Sequence, residues 1–298
     1  MNGAVRKDRM YRYLLVLTVA SAIGLQGWRT LFNNFAVEVA GLDGHQVGII
    51  QSVREIPGFL ALLVVYVLLV MREHRLSALS ILCLAVGVGL TGLLPSMAGL
   101  VVTTLIMSFG FHYYETTNQS LTLQYFDQAT APIVFGRQRS YAAATNIVVG
   151  LAIYGMASVL SYAAMYLVMG IVLCGMGLWG FAQNPVRENL PVQRKRMVLR
   201  RRYGLFYLLT FLAGARRQIF IAFAVFLMVK RFGFTVQEIT LLFVVNNGVN
   251  YYLSPLVGKA IVRFGERRVL SLEYGSLVLI FLAYALVQAK WIVAVLYI

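Results

Sequence analysis

Residues 184–203 have the sequence NPVRENLPVQRKRMVLRRRY, and this stretch decides how the rest of the chain is organised. It holds seven arginine and lysine residues, a single acid, Glu188, and two prolines. Such a run cannot lie in hydrocarbon, where charged side chains are costly. Long apolar stretches flank it on both sides. The run therefore predicts a basic linker between two sets of membrane-spanning helices.

The composition predicts an all-α polytopic membrane protein. Of 298 residues, 60% are hydrophobic and 12% are charged, against about 25% charged in a typical soluble domain. The net charge of +15 comes from basic residues at the ends of apolar spans, so it indicates topology and argues against a nucleic-acid partner. Cys83 and Cys174 both lie in apolar spans, so they support neither a disulfide framework nor a metal site. We find no sequence motif for a cofactor.

A spanning helix needs roughly 20 mostly apolar residues, and nine such spans can be identified. They lie near residues 13–39, 47–70, 76–94, 97–126, 139–160, 162–182, 204–229, 236–261 and 268–288. A further apolar run, 291–298, covers only about 12 Å as a helix and predicts the start of a tenth. The expected domains are an N-terminal six-helix bundle at 1–183, the basic linker at 184–203 and an incomplete C-terminal bundle at 204–298.

Basic residues also predict the orientation. With the N-terminus in the cytoplasm, nineteen Lys and Arg residues fall in cytoplasmic segments and three in outer loops, which is the bias expected of cytoplasmic loops. The linker is then cytoplasmic too. A plasma membrane or a bacterial inner membrane is the expected location. Four arginines remain inside the membrane, namely Arg29, Arg54, Arg216 and Arg217.

The two sides of the linker resemble each other. Gly27, Arg29, Phe35, Ala36 and Val37 of the first span recur 188 residues later as Ala215, Arg217, Phe223, Ala224 and Val225 of the seventh. A repeat of this period indicates two related bundles that face each other. Arg29 and Arg217 are then expected to be symmetry mates that point into one cavity.

The loop after the eighth span has the sequence GKAIVRFGERR at residues 258–268. It resembles the cytoplasmic signature of the major facilitator superfamily. The matching residues are Gly258, Arg263, Gly265, Arg267 and Arg268. Val262 stands where that signature usually has Asp, and the first-half counterpart, VMREHR at 70–75, lacks the glycines.

This resemblance implies a fold of two six-helix bundles and a cytoplasmic gating role for the five matching residues. Full-length members of the family have twelve spans, so the chain is expected to be truncated within its tenth and to be a monomer when complete. The resemblance also implies that the first, fourth and seventh spans line a central cavity.

Polar and ionisable residues deep in a membrane usually face a cavity or a partner. Several of them share one helical face, as His112, Glu115 and Gln119 do in the fourth span. The substrate-binding candidates are Arg29, Asn33, Arg54, His112, Glu115, Asn118, Gln119, Arg216, Arg217 and Asn247. Their excess of arginine favours an anionic substrate, because guanidinium groups match carboxylate or phosphate.

Two alternatives stay open at this point. The charged groups can instead pair among themselves, for example Arg54 with Glu115 or Arg29 with Glu55. Glu55, His112 and Glu115 are candidates to carry a coupling proton, whereas Glu115 can equally well neutralise an arginine permanently.

The sequence therefore favours a secondary transporter that moves a small anionic solute across the bilayer by alternating access. The alternative is a membrane sensor or scaffold that keeps the fold and does not transport. An enzyme is the least favoured class, because the sequence has no cluster of paired carboxylates or His ligands at a membrane face.

Overall fold

The structure is a computed structural model, and it describes residues 8–187, 200–214, 228, 231–234 and 236–298. All regular structure in these ranges is helical, which confirms the all-α prediction. The helices are α1 (Arg9–Glu38), α2 (Gly44–Val70), α3 (Glu73–Thr91), α4 (Met97–Tyr125), α5 (Ala131–Met156), α6 (Tyr162–Ala182), α7 (described over 204–214), α8 (Val236–Phe264), α9 (Glu266–Leu286) and α10 (Lys290–Tyr297).

Six of these helices are long and apolar enough to cross a membrane: α1, α2, α3, α4, α6 and α9. The chain is therefore an integral membrane protein, as its composition predicts. These six helices lie close to the spans expected from hydropathy alone. The candidate residues Arg216 and Arg217 and linker residues 188–199 lie outside the described residues.

Short polar side chains fix where several helices begin. Asp8 accepts hydrogen bonds from the backbone N–H groups of Met10 and Tyr11, at 2.7 and 3.2 Å, and so caps α1. Asp43 and Gln46 form a reciprocal capping box at the start of α2, with N···O distances of 2.8 and 3.0 Å. The cap at Asp43 fixes the start of α2, so α1 and α2 are joined by only a short connection.

Helix α5 begins earlier than the hydropathy pattern predicts. Its first residue is Ala131, and Pro132 lies in its first turn, where the fixed φ of proline favours a helix start. Arg137 and Arg139, which the sequence suggests are loop residues, therefore lie on the helix, six and eight residues from its beginning. Apolar content alone could not place this start, because Arg137, Gln138 and Arg139 interrupt the apolar run soon after the first turn.

The core of the N-terminal half is built around α3, which packs between α4 and α6. A Cβ atom added at Gly87 would lie 2.3 Å from the backbone nitrogen of Met107, and one added at Gly110 would lie 2.4 Å from the backbone nitrogen of Leu84. The backbones of α3 and α4 therefore touch. Small residues are typical of such close contacts between membrane helices.

Helix α1 packs on α5 and α6 through large buried side chains. Trp28 stacks on Phe32 with ring centroids 4.2 Å apart, and Phe35 meets the ring of Tyr166 at 5.4 Å. At the other end of α1, the buried carboxylate of Asp8 forms an ion pair with Arg187. The first residues of the linker are thus held against the beginning of α1.

Helix α8 packs along α5 and connects the two halves of the described chain. A Cβ at Gly136 would lie 2.5 Å from the carbonyl oxygen of Ser254, and the hydroxyl of Ser140 donates to the carbonyl of Tyr251 at 2.6 Å. Residue numbers rise along α5 as they fall along α8, so the two helices are antiparallel. A smaller second core joins α8, α9 and α10 around Met228, Phe234, Leu242, Tyr284, Val293 and Ala294.

Candidate functional site

Helix α2 is discontinuous in its middle. It is α-helical over Gly44–Val53 and again over Ile56–Phe59, then passes through a 3₁₀ turn at Leu60–Leu63 before Val64–Val70. Pro57 removes one backbone N–H near the break. Arg54 and Glu55 lie at the break itself, about 15 Å from the start of the helix.

Side chains of α4 compensate for this discontinuity. The Ser108 hydroxyl donates to the carbonyl oxygen of Arg54, and the Tyr113 hydroxyl donates to the carbonyl of Leu60 at 3.4 Å. Between them, Gly58 leaves room for the imidazole of His112, whose Cε1 lies 3.1 Å from where a Cβ would be. In hydrocarbon a freed backbone carbonyl needs such a partner, because no water is present to supply one.

The Arg54 side chain is held by two neighbours. Its Nη2 and Nε both donate to Oε1 of Glu55, at 2.6 and 3.2 Å. Its Cζ lies 5.9 Å from the ring centroid of Trp28, within the range of a cation–π contact. The Arg54 side chain is 18% exposed and the Glu55 side chain 37%, so the ion pair is accessible from one side.

Trp28 adds a polar group to this region. The residue is fully buried, and its indole N–H has no hydrogen-bond partner among the described residues. We call Trp28, Arg54, Glu55, Ser108 and His112 the Arg54 cluster. It joins α1, α2 and α4 at one level and contains a guanidinium, a carboxylate, an imidazole and a hydroxyl.

The sequence-predicted residues outside this cluster differ in their surroundings. Arg29, Asn33 and Gln119 are exposed, and Glu115 is partly exposed. Arg54 pairs with Glu55 in the structure, a partner that neither of the two pairings suggested by the sequence had given to these residues. The symmetry between Arg29 and Arg217 stays a prediction, since Arg217 lies outside the described residues.

Two of the predicted asparagines bind other amides. Asn118 donates to Gln138 at 3.1 Å and accepts from it at 3.3 Å, so the pair links α4 to α5. Asn247 accepts from Asn146 at 3.1 Å and donates to the carbonyl of Phe243 at 2.9 Å. Both asparagines therefore contribute to helix packing in this structure.

The residues of the 258–268 motif surround the turn between α8 and α9. Gly265 has φ of +84°, a conformation that glycine adopts without a steric penalty. A Cβ at Gly258 would lie 2.5 Å from the carbonyl oxygen of Pro132, so the first glycine permits contact between α8 and the start of α5. Arg263 lies over the ring of Phe264 at 5.2 Å, while Arg267 and Arg268 are exposed.

A cavity of about 1030 Å³ lies between α5 and α8, at the same end as this motif. Its polar lining residues are Gln128, Arg139, Asn250, Ser254, Glu266 and Glu273. Gly258 also lines it, but the Arg54 cluster does not. Of the predicted substrate residues that the structure describes, none lines this cavity.

Sequence reasoning did not single out Ser108, Trp28 or Gly58. A signal was present for two of them. Ser108 is one helical turn before His112 and so shares its face. Gly58 follows Pro57, and this pair is unusual inside an apolar span. The buried indole of Trp28 had no such signal, since a tryptophan in a span is most often packing or interface belt.

A family model described as the Major Facilitator Superfamily matches residues 14–298. The chain belongs to this superfamily. The match supports a family of membrane transporters and not a family of enzymes. It also confirms the resemblance seen at residues 258–268.

No curated protein matches this superfamily member significantly. A solved structure described as an auto-inhibited POT family peptide transporter is similar, with 15% sequence identity and a TM-score of 0.45. The similarity covers 87% of this chain and 54% of that one. The chain thus spans about half the length of that solved relative.

Proposed function

We propose that this chain forms part of a secondary transporter that moves a small organic anion by alternating access. The observation that carries the proposal is the Arg54 cluster, a guanidinium at a helix break about halfway through the span. Intramembrane arginines at such breaks are costly and mark substrate pathways. Arg29 adds a second cation on the neighbouring helix α1.

The geometry of the ion pair supports a coupling mechanism. Both Arg54 donors converge on one oxygen of Glu55, so a substrate carboxylate that takes these donors displaces Glu55. The freed carboxylate of Glu55 lies within the membrane, where acidic side chains serve in proton relays. In this proposal one proton travels with each anion, and Glu55 is the first candidate to carry it. His112 and Glu115 remain the other candidates for this role.

The test of the proposed function is uptake into proteoliposomes. Labelled mono- and dicarboxylates are supplied outside vesicles that have an acidic exterior, with lysine and glucose as cationic and neutral comparisons. We expect saturable uptake of an anion that collapses when a protonophore removes the pH gradient. Absence of uptake for every anion, with a folded protein, would favour the sensor or scaffold alternative.

Glu55→Gln separates proton coupling from substrate binding. Glutamine keeps the size of the side chain and cannot exchange a proton. We therefore expect gradient-driven uptake to fall by at least tenfold, while exchange of internal for external anion continues at near the wild-type rate. Equal loss of both activities would instead give Glu55 a structural role.

The proposal includes the topology inferred from basic residues, with the N-terminus and linker in the cytoplasm. Side-chain contacts support alternating spans: residues 54, 58 and 60 of α2 meet residues 108, 112 and 113 of α4 in parallel order. Helices α5 and α8 meet in antiparallel order, as one odd and one even span should.

The proposed architecture keeps the domains at 1–183, 184–203 and 204–298. It has nine complete spans with the start of a tenth, and it is a monomer in a plasma or bacterial inner membrane.

Cysteine labelling checks this orientation. In a variant without Cys83 and Cys174, a single cysteine is introduced at Lys195 of the linker or at Lys290, the first residue of α10, on the proposed outer side. An impermeant maleimide added to intact cells should label position 290 and leave position 195 unlabelled until the cells are opened. Labelling of position 195 from outside would reverse the topology.

A further inference from the structure

Three consecutive arginines directly before α7 are exposed in the described structure. Arg200, Arg201 and Arg202 are exposed, and none of them forms an ion pair within the ranges that the structure describes. Other basic turns at helix starts differ in this respect: Asp8 lies beside Arg9, Glu73 beside Arg72, and Glu266 beside Arg267. The segment at 200–202 is thus a cationic patch without a neighbouring acid in its own turn.

The local backbone adds to this positive charge. Arg201–Tyr203 forms a 3₁₀ turn that leads directly into α7, and the first turn of a helix presents N–H groups and the positive end of its dipole. Two tyrosines hold the turn in place. The Arg202 guanidinium lies 4.9 Å from the ring of Tyr203, and the Arg200 backbone N–H donates to the hydroxyl of Tyr207 at 3.3 Å.

The residues that follow set the depth of this patch. Leu205 and Phe206 are 69% and 65% exposed, and in a membrane protein such apolar side chains contact lipid. At about 1.5 Å per residue, the three arginines lie within roughly 5–8 Å of Leu205 along the helix axis. The headgroup layer of each leaflet is about 5–7 Å thick. If Leu205 lies at the edge of the hydrocarbon, the arginines are expected at the level of the lipid phosphates.

We propose that Arg200, Arg201 and Arg202 with the first turn of α7 form a binding site for anionic phospholipid headgroups. The chemistry recognised is a phosphate that carries a net negative charge and is anchored by acyl chains beside Leu205 and Phe206. Tyrosines 203 and 207 belong at the same depth, where amphipathic rings are favoured. This inference does not depend on transport activity or on the sign of the substrate.

The test is native mass spectrometry of the purified full chain titrated with phosphatidylglycerol or phosphatidylcholine. We expect the wild-type chain to bind phosphatidylglycerol more tightly. In the triple variant Arg200→Gln, Arg201→Gln, Arg202→Gln this preference should fall by about fivefold for each arginine and by at least twentyfold in total. The matched control is Arg263→Gln, Arg267→Gln, Arg268→Gln, which removes the same charge from the α8–α9 turn and should change the preference less than threefold.

Circular dichroism verifies that both triple variants keep the helical content of the wild-type chain. Glycerol phosphate, added in hundredfold excess, distinguishes a lipid site from a site for soluble phosphate, and we expect it not to displace the lipid. The proposal is overturned if the first triple variant keeps its preference, if the control loses it equally, or if glycerol phosphate competes fully.

Discussion

Replacement of Arg54 by glutamine is expected to lower anion uptake by about tenfold to a hundredfold. Hydrogen bonds to a charged partner contribute about 1.5–3 kcal/mol, and this range corresponds to the stated factor in affinity. Arg54→Lys should retain part of the activity, because it keeps the charge and loses the planar fork that holds a carboxylate with two donors. Initial rates of uptake over a range of substrate concentrations measure both effects.

Two further variants separate substrate recognition from structure. Arg54→Gln leaves Glu55 without its ion-pair partner, which can itself destabilise the break in α2. The double variant Arg54→Gln, Glu55→Gln removes that penalty, and we expect it to recover thermal stability without recovering anion uptake. Arg231→Gln, on an exposed arginine far from the Arg54 cluster in sequence, serves as the control with unchanged uptake. Recovery of uptake in the double variant would contradict a role in binding the anion.

Replacement of Gly110 by alanine is expected to destabilise the N-terminal half strongly. The added Cβ would lie 2.4 Å from the backbone nitrogen of Leu84 and 2.5 Å from the carbonyl oxygen of Ser80. Backbone atoms cannot rotate away, so α3 and α4 must move apart, and overpacking of this kind costs about 1–3 kcal/mol. We expect the Tm of the detergent-solubilised chain to fall by roughly 3–10 °C.

Gly150→Ala is the matched control, because it makes the same change in a helix where nothing lies within 4 Å of the new Cβ. Alanine is favoured over glycine inside a helix by about 1 kcal/mol. Gly150→Ala should therefore leave the Tm unchanged or raise it slightly. An equal loss of stability in both variants would show that the effect is not caused by contact between α3 and α4.

Hydropathy was sufficient to place most of the helices, because a span must satisfy its own backbone and therefore depends on local composition. The beginning of α5 was the exception. Arg137, Gln138 and Arg139 interrupt its apolar run after the first turn, and the proline at 132 is the signal that marks the helix start. Charge and apolar content describe where a helix meets hydrocarbon, and not where its hydrogen bonding begins.

The candidate site was harder to predict, because it depends on how helices are rotated and shifted against each other. Spacings of three and four residues put His112, Glu115 and Gln119 on one face, with Asn118 beside them, yet Asn118 pairs with Gln138 of the neighbouring helix. The pairing of Arg54 with Glu55 was not foreseen either, since adjacent residues on a regular helix point in different directions. The break in α2 changes this local geometry and brings the two side chains together.

The dependence of α2 on α4 has a consequence for the order in which the protein matures. The carbonyl of Arg54 receives its hydrogen bond from Ser108, which is translated 54 residues later. When α2 first leaves the ribosome it lacks this donor, and an unsatisfied carbonyl in hydrocarbon costs several kcal/mol. The nascent second span must therefore stay near water or a translocation partner until α4 arrives. Folding of α2 is thus completed only once the fourth span is present, and not when α2 itself has been synthesised.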